Sequence, residues 1–210
     1  MVLPLVLLLT LASLVVEPVV IAMTTAPYSP WSQAISDLGA TSCGVLPSTS
    51  GEVEVCSPGW VLMNAGMAVS GVALVVSAVL LRRRFAASRG AAAAVVVAGV
   101  STVGAAVVPL DVSAAGHVVV ALPAFPAQAV AMFLLAGTVG RALGGRWRVG
   151  FLVGGVVTAV ATALFVAPTS WGVPFGAVER VAAYLLPLGL AAVAAALVVR
   201  RESMDAARTD

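Results

Sequence analysis

Residues 60–84 read WVLMNAGMAVSGVALVVSAVLLRRR, a long apolar run that ends in three consecutive arginines. A helix rises ~1.5 Å per residue, so roughly twenty such residues are needed to cross a hydrocarbon layer ~30 Å thick. The run is continuous and does not alternate between apolar and polar residues, as a membrane-barrel strand would. Residues 60–81 are therefore predicted to form a membrane-spanning helix.

The whole chain has the same character. Of its 210 residues, 61% are hydrophobic and 10% are charged, and its mean hydropathy is +1.10, which leaves too little polar surface for a water-soluble globule. The first apolar run resembles a signal peptide, but it lacks a basic leader and carries Glu17-Pro18. We predict an all-α polytopic transmembrane bundle, one membrane domain over residues 1–210, with six spans at approximately 3–23, 60–81, 91–108, 117–140, 147–167 and 178–199.

The arginines predict the orientation of this bundle. The chain has no lysine, and ten of its eleven arginines fall on one side of the predicted spans: Arg82, Arg83, Arg84, Arg89, Arg141, Arg146, Arg148, Arg200, Arg201 and Arg208. The positive-inside rule places that side in the cytoplasm, with both termini. These runs are short and lack interleaved aromatic residues, so no nucleic-acid partner is expected.

The longest connection, residues 24–59, contains no basic residue and is predicted to be extracytoplasmic. It holds both cysteines of the chain, Cys43 and Cys56. A disulfide would persist on the oxidising side of a membrane, and the alternative is two free thiols. With two cysteines and one histidine in the chain, no metal site is expected.

The same connection contains a predicted short amphipathic helix over residues 29–39. Ser29 suits the N-cap, Pro30 the first helical position and Gly39 the residue after the helix. Trp31, Ile35 and Leu38 would face the membrane surface, while Gln33 and Asp37 would share another face. Asp37 would then lie near the helix C-terminus, where the dipole makes a nearby cation or donor favourable.

Polar side chains inside a bilayer are costly unless they are paired or hydrated, so each is a candidate site residue. All but one of those in the spans map to the outer half: Glu17, Asn64, Asp111, His117, Glu179, Arg180 and Tyr184, with Gln128 near the middle of the fourth span. Arg180 is the single outer arginine, and we expect it to pair with Asp37 or Glu17. The alternative is that Asp37, Asp111 and Glu179 are ordinary caps and that His117 is a structural donor.

The segment Tyr28-Ser-Pro-Trp-Ser-Gln-Ala-Ile-Ser-Asp-Leu-Gly-Ala40 resembles the signature of the bacterial membrane proteins catalogued as domain of unknown function 998. Further matching motifs follow in order: Pro109-Leu110-Asp111, His117 and Glu179-Arg180. The resemblance implies a six-helix fold in a bacterial plasma (inner) membrane and a set of motifs on its outer side. It implies no particular reaction.

Two classes of function fit these residues. In the first, an outer-side pocket binds a lipid, an isoprenoid or a second membrane protein through Trp31, Gln33, Asn64, Gln128, Glu179, Arg180 and Tyr184, with Arg180 recognising an anionic group. In the second, a membrane-embedded enzyme, such as a cyclase or transferase, uses Glu17, Asp37, Asp111 and His117 for acid-base chemistry on a lipid-like substrate. No cofactor is expected, since the absence of lysine excludes a P-loop. A transporter has little support because no internal repeat is evident.

Overall fold

A computed structural model describes residues 2–48, 51–167 and 172–206 of the chain, and Arg208 lies outside these residues. Six helical stretches are long and apolar enough to cross a membrane, which confirms the predicted all-α, multi-pass fold. The helices are α1 (Val2–Leu9), α2 (Ala12–Met23), α3 (Trp60–Phe85), α4 (Arg89–Val107), α5 (Ala114–Ala121), α6 (Ala124–Leu135), α7 (Arg141–Leu143), α8 (Gly145–Val166) and α9 (Phe175–Ala206). Span one comprises α1 and α2, and span four comprises α5 to α7.

Two spans contain breaks in the regular helix. Span one turns at Thr10, whose hydroxyl donates to the carbonyl of Leu7 over 2.6 Å. Span four is interrupted at Leu122 and Pro123, because proline has no N–H for the helical ladder. It then passes through a π-helical turn at Ala136–Gly140. Pro18, by contrast, lies inside α2 without ending it.

Span four begins earlier than the predicted residue 117. The hydroxyl of Ser113 accepts the N–H of Gly116 over 3.2 Å, which caps the helix and sets its start at Ala114. His117 consequently lies in the first turn of the span rather than at its boundary.

Small residues bring the helices close together. A Cβ atom on Gly71 would lie 2.5 Å from the carbonyl oxygen of Gly99, so α3 and α4 can touch only because both residues are glycine. Span one packs on α3 at Ser70, whose hydroxyl accepts the N–H of Ser13 over 2.9 Å. The close approach of spans one and two brings the polar residues of both helices into one region.

Residues 24–48 and 51–59 form a folded cap at one end of the bundle. The segment includes a 3₁₀ helix, Ile35–Gly39, and an antiparallel hairpin, β1 (Gly44–Ser48) and β2 (Gly51–Val55), which the all-α prediction did not include. Cys43 and Cys56 form a disulfide at the open end of the hairpin.

The predicted helix over residues 29–39 is wrong in its first half. Residues 30–32 form a turn, and helical geometry begins only at Ile35. The predicted common face is also wrong, because Trp31 is 67% exposed whereas Ile35 and Leu38 are buried. Ile35 and Leu38 instead join a hydrophobic cluster with Val20 of α2, so the 3₁₀ helix inserts into the mouth of the bundle.

Candidate functional site

An ion pair beneath the cap joins span one to span six. Nε of Arg180, in the second turn of α9, donates to Oε1 of Glu17 over 2.6 Å. The hydroxyl of Tyr184, one turn further along α9, donates to Oε2 of Glu17 over 2.5 Å. Both carboxylate oxygens of Glu17 are thus occupied, and the residue is only 4% exposed. Of the two partners expected for Arg180, the structure selects Glu17.

The remaining nitrogens of Arg180 bind the cap. Nη1 donates to the carbonyls of Pro30 and Gln33 over 2.7 and 2.9 Å, and also to the carbonyl of Gly176. Nη2 donates to the hydroxyl of Tyr28 over 2.5 Å. Every guanidinium nitrogen is therefore engaged, which argues against recognition of a ligand anion by Arg180.

Tyr28 extends this network within the cap. Its hydroxyl donates to the carbonyl of Ala34 over 2.8 Å while it accepts from Arg180. Burial raises the pKa of Tyr28, although the adjacent charge of Arg180 opposes this effect. The phenol therefore stays protonated and can donate at any physiological pH.

The start of α9 also holds the cap through its backbone and through Glu179. The N–H of Ile35 donates to Oε2 of Glu179 over 2.7 Å, and the N–H of Ala177 donates to the carbonyl of Trp31 over 3.0 Å. A Cβ atom on Gly176 would collide with the carbonyl oxygens of Gln33 and Pro30. Glycine at this position therefore allows the cap backbone to lie directly on the helix.

The far end of the 3₁₀ helix is held by α3. The side-chain amide of Asn64 donates to the carbonyl of Gly39 over 2.9 Å, and the hydroxyl of Ser57 donates to the carbonyl of Leu38 over 2.7 Å. These bonds satisfy carbonyls that the end of a short helix leaves free. Asn64 is thus an anchor of the cap.

Asp111 holds the segment after the 3₁₀ helix. Its carboxylate accepts the N–H and the hydroxyl of Thr41 over 3.0 and 2.8 Å, and those of Ser42 over 2.9 and 2.8 Å. Burial alone would raise the pKa of Asp111, but these hydrogen bonds together hold it below its ordinary value. Asp111 therefore acts as an anionic clamp between spans three and four and the cap.

Asp37 is the most deeply buried acid of the cap. It is 2% exposed, and its Oδ2 accepts the N–H of Ala34 over 3.0 Å. Burial raises the pKa of Asp37 to about 6, and the bond from Ala34 and the charge of Arg180 limit the rise. The donor expected near Asp37 is the backbone N–H of Ala34, at the start of the 3₁₀ helix.

Two adjoining cavities lie beneath the cap. The polar cavity, of about 80 Å³, is also mainly apolar, and we name it for the hydroxyl, imidazole and amide groups on its walls, including those of Ser13, Ser70, Ser101, His117 and Gln128. The lateral cavity, of about 250 Å³, has mainly apolar walls that include Leu122, Phe125, Phe165 and Phe175. Ser36, His117, Ala121, Phe125 and Glu179 line both cavities.

His117 and Gln128 present hydrogen-bonding atoms at the cavities. Nδ1 of His117 lies 2.7 Å from the carbonyl oxygen of Val108, which can only accept, so Nδ1 carries the proton. In a neutral ring Nε2 is then an acceptor. Gln128 is 3% exposed, and its Oε1 has no hydrogen-bond partner among the described residues.

The structure separates the candidate residues that line a cavity from those that do not. Asp37, His117 and Glu179 line the lateral cavity. Asp111, Asn64 and Arg180 hold the cap, Glu17 binds Arg180, and none of these four lines either cavity. Gln128 and Tyr184 line the polar cavity. Trp31 is exposed, and the side chain of Gln33 accepts the N–H of Ser29 over 2.7 Å within the cap.

Sequence reasoning missed the small hydroxyl residues of the polar cavity. Thr10 and Ser13 precede Glu17 by seven and four residues in the sequence, a spacing that places all three on one helical face. That spacing was the signal in the sequence that could have identified Thr10 and Ser13. No comparable pattern identified Ser101 or the aromatic residues of the lateral cavity. In the described ranges, no group of three or more His, Cys, Asp or Glu residues is placed to hold a metal ion.

Comparison with known proteins identifies the family. The family model described as "Protein of unknown function (DUF998)" matches residues 7–197, nearly the whole chain. The chain belongs to the DUF998 family. Comparisons of this DUF998 protein with curated proteins and with solved structures give no match.

The match covers every motif that resembles the family signature. In this DUF998 protein those motifs converge on the cap: Tyr28 and Arg180 bind each other, Glu179 binds Ile35, and Asp111 binds Thr41 and Ser42. The motif residues thus hold the cap over the two cavities.

Proposed function

We propose that this DUF998 protein resides in the bacterial plasma membrane and binds an uncharged lipid-like molecule in the joined cavities beneath the cap. The observation that carries the proposal is one unpaired amide oxygen in otherwise mainly apolar cavities. Leu122, Phe125 and Phe165 give the lateral cavity apolar walls, and it adjoins the polar cavity, where Oε1 of Gln128 has no partner among the described residues.

The chemistry of the polar cavity favours a ligand with a neutral polar end. A buried amide oxygen without a donor is costly, so Gln128 favours a ligand hydroxyl or amide N–H. Arg180 lines neither cavity, and its guanidinium nitrogens all donate to Glu17 or to the cap. A lipid or isoprenoid with a hydroxyl end fits these groups better than an anionic one.

A cavity-filling variant tests the proposal. Ala121→Phe places a ring where the two cavities meet, and Gln128→Leu removes the unpaired amide with little change of volume. Val119→Phe is the matched control, because Val119 is 72% exposed on the same helix and lines neither cavity. Each protein would be purified in mild detergent, and its co-purified lipids would be quantified by mass spectrometry.

A stoichiometric neutral lipid that is retained by the wild type and Val119→Phe, but lost from Ala121→Phe, supports the proposal. Gln128→Leu should weaken its retention by about tenfold, the value of one hydrogen bond to a buried group. Equal lipid profiles in all four proteins would overturn it.

An enzyme remains the second candidate because three titratable residues line the lateral cavity. Asp37, His117 and Glu179 could exchange protons with a bound lipid-like substrate, and a pKa of about 6 suits Asp37 to that role near neutral pH. Glu17 and Asp111 are less suited, since the ion pair and the cap occupy them. Incubation of the wild type and Asp37→Asn with total membrane lipid would decide this. Loss of one lipid and gain of another, by the wild type alone, is the expected result for an enzyme.

The cytoplasmic placement of both termini is part of this proposal. The arginine distribution and the disulfide in the cap both support it, since disulfides persist outside the cytoplasm. A fluorescent protein that folds only in the cytoplasm, fused after residue 206, should be bright. A dark fusion at normal expression would contradict the orientation.

A further inference from the structure

A further cavity lies at the end of the bundle away from the cap, between the end of α3, the later part of α9 and the start of α1. It measures about 860 Å³, and we call it the basic cavity. Four guanidinium groups line it, from Arg83 and Arg84 on α3 and from Arg200 and Arg201 on α9. Its remaining walls are mainly apolar and include Leu3 and Leu197.

The positive-inside rule does not require this arrangement. That rule depends on how many arginines flank each span, so the α3 and α9 pairs could satisfy it while pointing in different directions. Here two pairs more than a hundred residues apart in sequence line the same cavity. No carboxylate belongs to its lining among the described residues.

The arginines at this end differ in the protein groups that they contact. Arg82, outside the cavity, donates to the carbonyl of Ala87 over 3.3 Å, and Nη2 of Arg200 donates to the carbonyl of Leu143 over 2.9 Å. Arg83 and Arg84 form no ion pair with any described residue, and the guanidinium of Arg84 lies 5.2 Å from the ring centre of Phe85. Two cations therefore line the cavity without a protein counter-charge in the described part of the chain.

The backbone beside these arginines has an unusual conformation. Ala86, which lines the cavity, ends α3 with φ of 50°, a left-handed conformation that costs free energy for a residue with a Cβ atom. Arg82 holds the turn through Ala87. The turn thus ends α3 abruptly and keeps Phe85 and Ala86 in the cavity wall.

We propose that the basic cavity binds a phosphate group, presented either by an anionic phospholipid or by free phosphate. Arginine pairs phosphate oxygens in a bidentate manner, and an anion would supply Arg83 and Arg84 with the counter-charge that the described residues do not provide. Basic pockets between spans are suited to phospholipid headgroups, and the walls from Leu3 and Leu197 would contact acyl chains. The site is separate from the two cavities under the cap.

Native mass spectrometry of the full chain in neutral detergent tests the proposal. The protein would be titrated with phosphatidylglycerol, with phosphatidylcholine and with inorganic phosphate, each alone, and with phosphatidylglycerol in excess phosphate. The test variant is R83Q/R84Q. The control is R89Q/R141Q, which removes the same charge from exposed arginines that do not line the basic cavity.

R83Q/R84Q should weaken binding of phosphatidylglycerol roughly 30-fold, the effect expected for the loss of two arginines at an anionic headgroup. The control variant should change this binding by about twofold or less. Phosphatidylcholine should bind more weakly than phosphatidylglycerol. Binding of inorganic phosphate without a preference for phosphatidylglycerol would assign the site to free phosphate. Equal losses in the two double variants, or no preference for either anion, would overturn the proposal.

A second variant covers a failure of R83Q/R84Q to fold, which gel filtration would detect. R83K/R84K keeps the charge but cannot pair phosphate in a bidentate manner. We expect it to fold and to bind phosphatidylglycerol more weakly than the wild type. Unchanged binding by this variant, with R83Q/R84Q unfolded, would also contradict the proposal.

Discussion

Arg180 and Glu17 are 163 residues apart in sequence, yet Nε of one lies 2.6 Å from Oε1 of the other. The pair joins span one to span six, and the other nitrogens of Arg180 hold the cap. A single side chain therefore couples the closure of the bundle to the position of the cap. Substitutions here should affect both.

Breaking this pair should destabilise the protein strongly. Arg180→Met leaves the carboxylate of Glu17 buried with one hydrogen bond, from Tyr184, and should lower the free energy of unfolding by ~3 kcal/mol. Arg148→Met, at an exposed arginine, is the control. Denaturant unfolding in mixed micelles would measure both. Equal stability of the two variants would exclude a structural role for the pair.

Asp37 should make the protein more stable as the pH falls. Its pKa rises from 3.8 to about 6 in the folded state, so the folded protein binds the proton more tightly than the unfolded chain does. The resulting stability is fully present below about pH 4 and is lost as the pH rises through 6, by at most ~3 kcal/mol.

Asp37→Asn tests this dependence, because asparagine keeps an acceptor for the N–H of Ala34. The Tm of wild type and variant would be measured from pH 4 to pH 7.5. Their difference should change as the pH rises from the ordinary pKa of Asp37, 3.8, through its raised pKa of about 6. Other titrating groups are common to both proteins and cancel. A difference that stays constant across this range would show that Asp37 titrates normally.

Gly176 should not tolerate a side chain. Gly176→Ala places a Cβ against the carbonyls of Gln33 and Pro30, so residues 30–33 must move away from α9. We expect a loss of about 1–3 kcal/mol and faster proteolysis of the cap. Gly150→Ala is the matched control, since nothing lies within 4 Å of its added Cβ. A cap equally resistant to protease in both variants would contradict the docking geometry.

Reduction of the Cys43–Cys56 disulfide should loosen the cap. The cysteines are 13 residues apart, and closing a loop of that size contributes ~3 kcal/mol by restricting the unfolded chain. A thiol reductant or Cys43→Ser/Cys56→Ser should therefore lower Tm. The reductant should have no effect on the double variant. A Tm of the wild type that does not respond to reductant would show that the bond contributes little.

The boundaries of the spans were largely predictable, because the signals that set them are local. The predicted spans 60–81 and 147–167 compare with Trp60–Phe85 and Gly145–Val166 in the structure. The start of span four was predicted three residues late, because the capping role of Ser113 was overlooked. The cap was predicted less well, since an isolated stretch with Ser29, Pro30 and Gly39 favours a regular helix.

Tertiary contacts replaced that helix with a turn and a 3₁₀ helix. Residues 30–33 do not form a regular helix, because Arg180 binds the carbonyls of Pro30 and Gln33 directly. Glu179 and Asp37 take the backbone N–H groups of Ile35 and Ala34. Backbone groups that an α-helix would pair internally are thus satisfied by Arg180 and Glu179 from α9 and by the side chain of Asp37.

The sequence by itself determined that this chain forms six membrane spans, because hydrophobicity and length act within each segment. It also marked the polar residues near the cap. Only the tertiary structure decided which of them meet: Glu17 with Arg180, Asp111 with Thr41 and Ser42, and Asp37, His117 and Glu179 around one cavity. The physical reason is that such meetings depend on the rotation and packing of whole helices, which no single segment specifies.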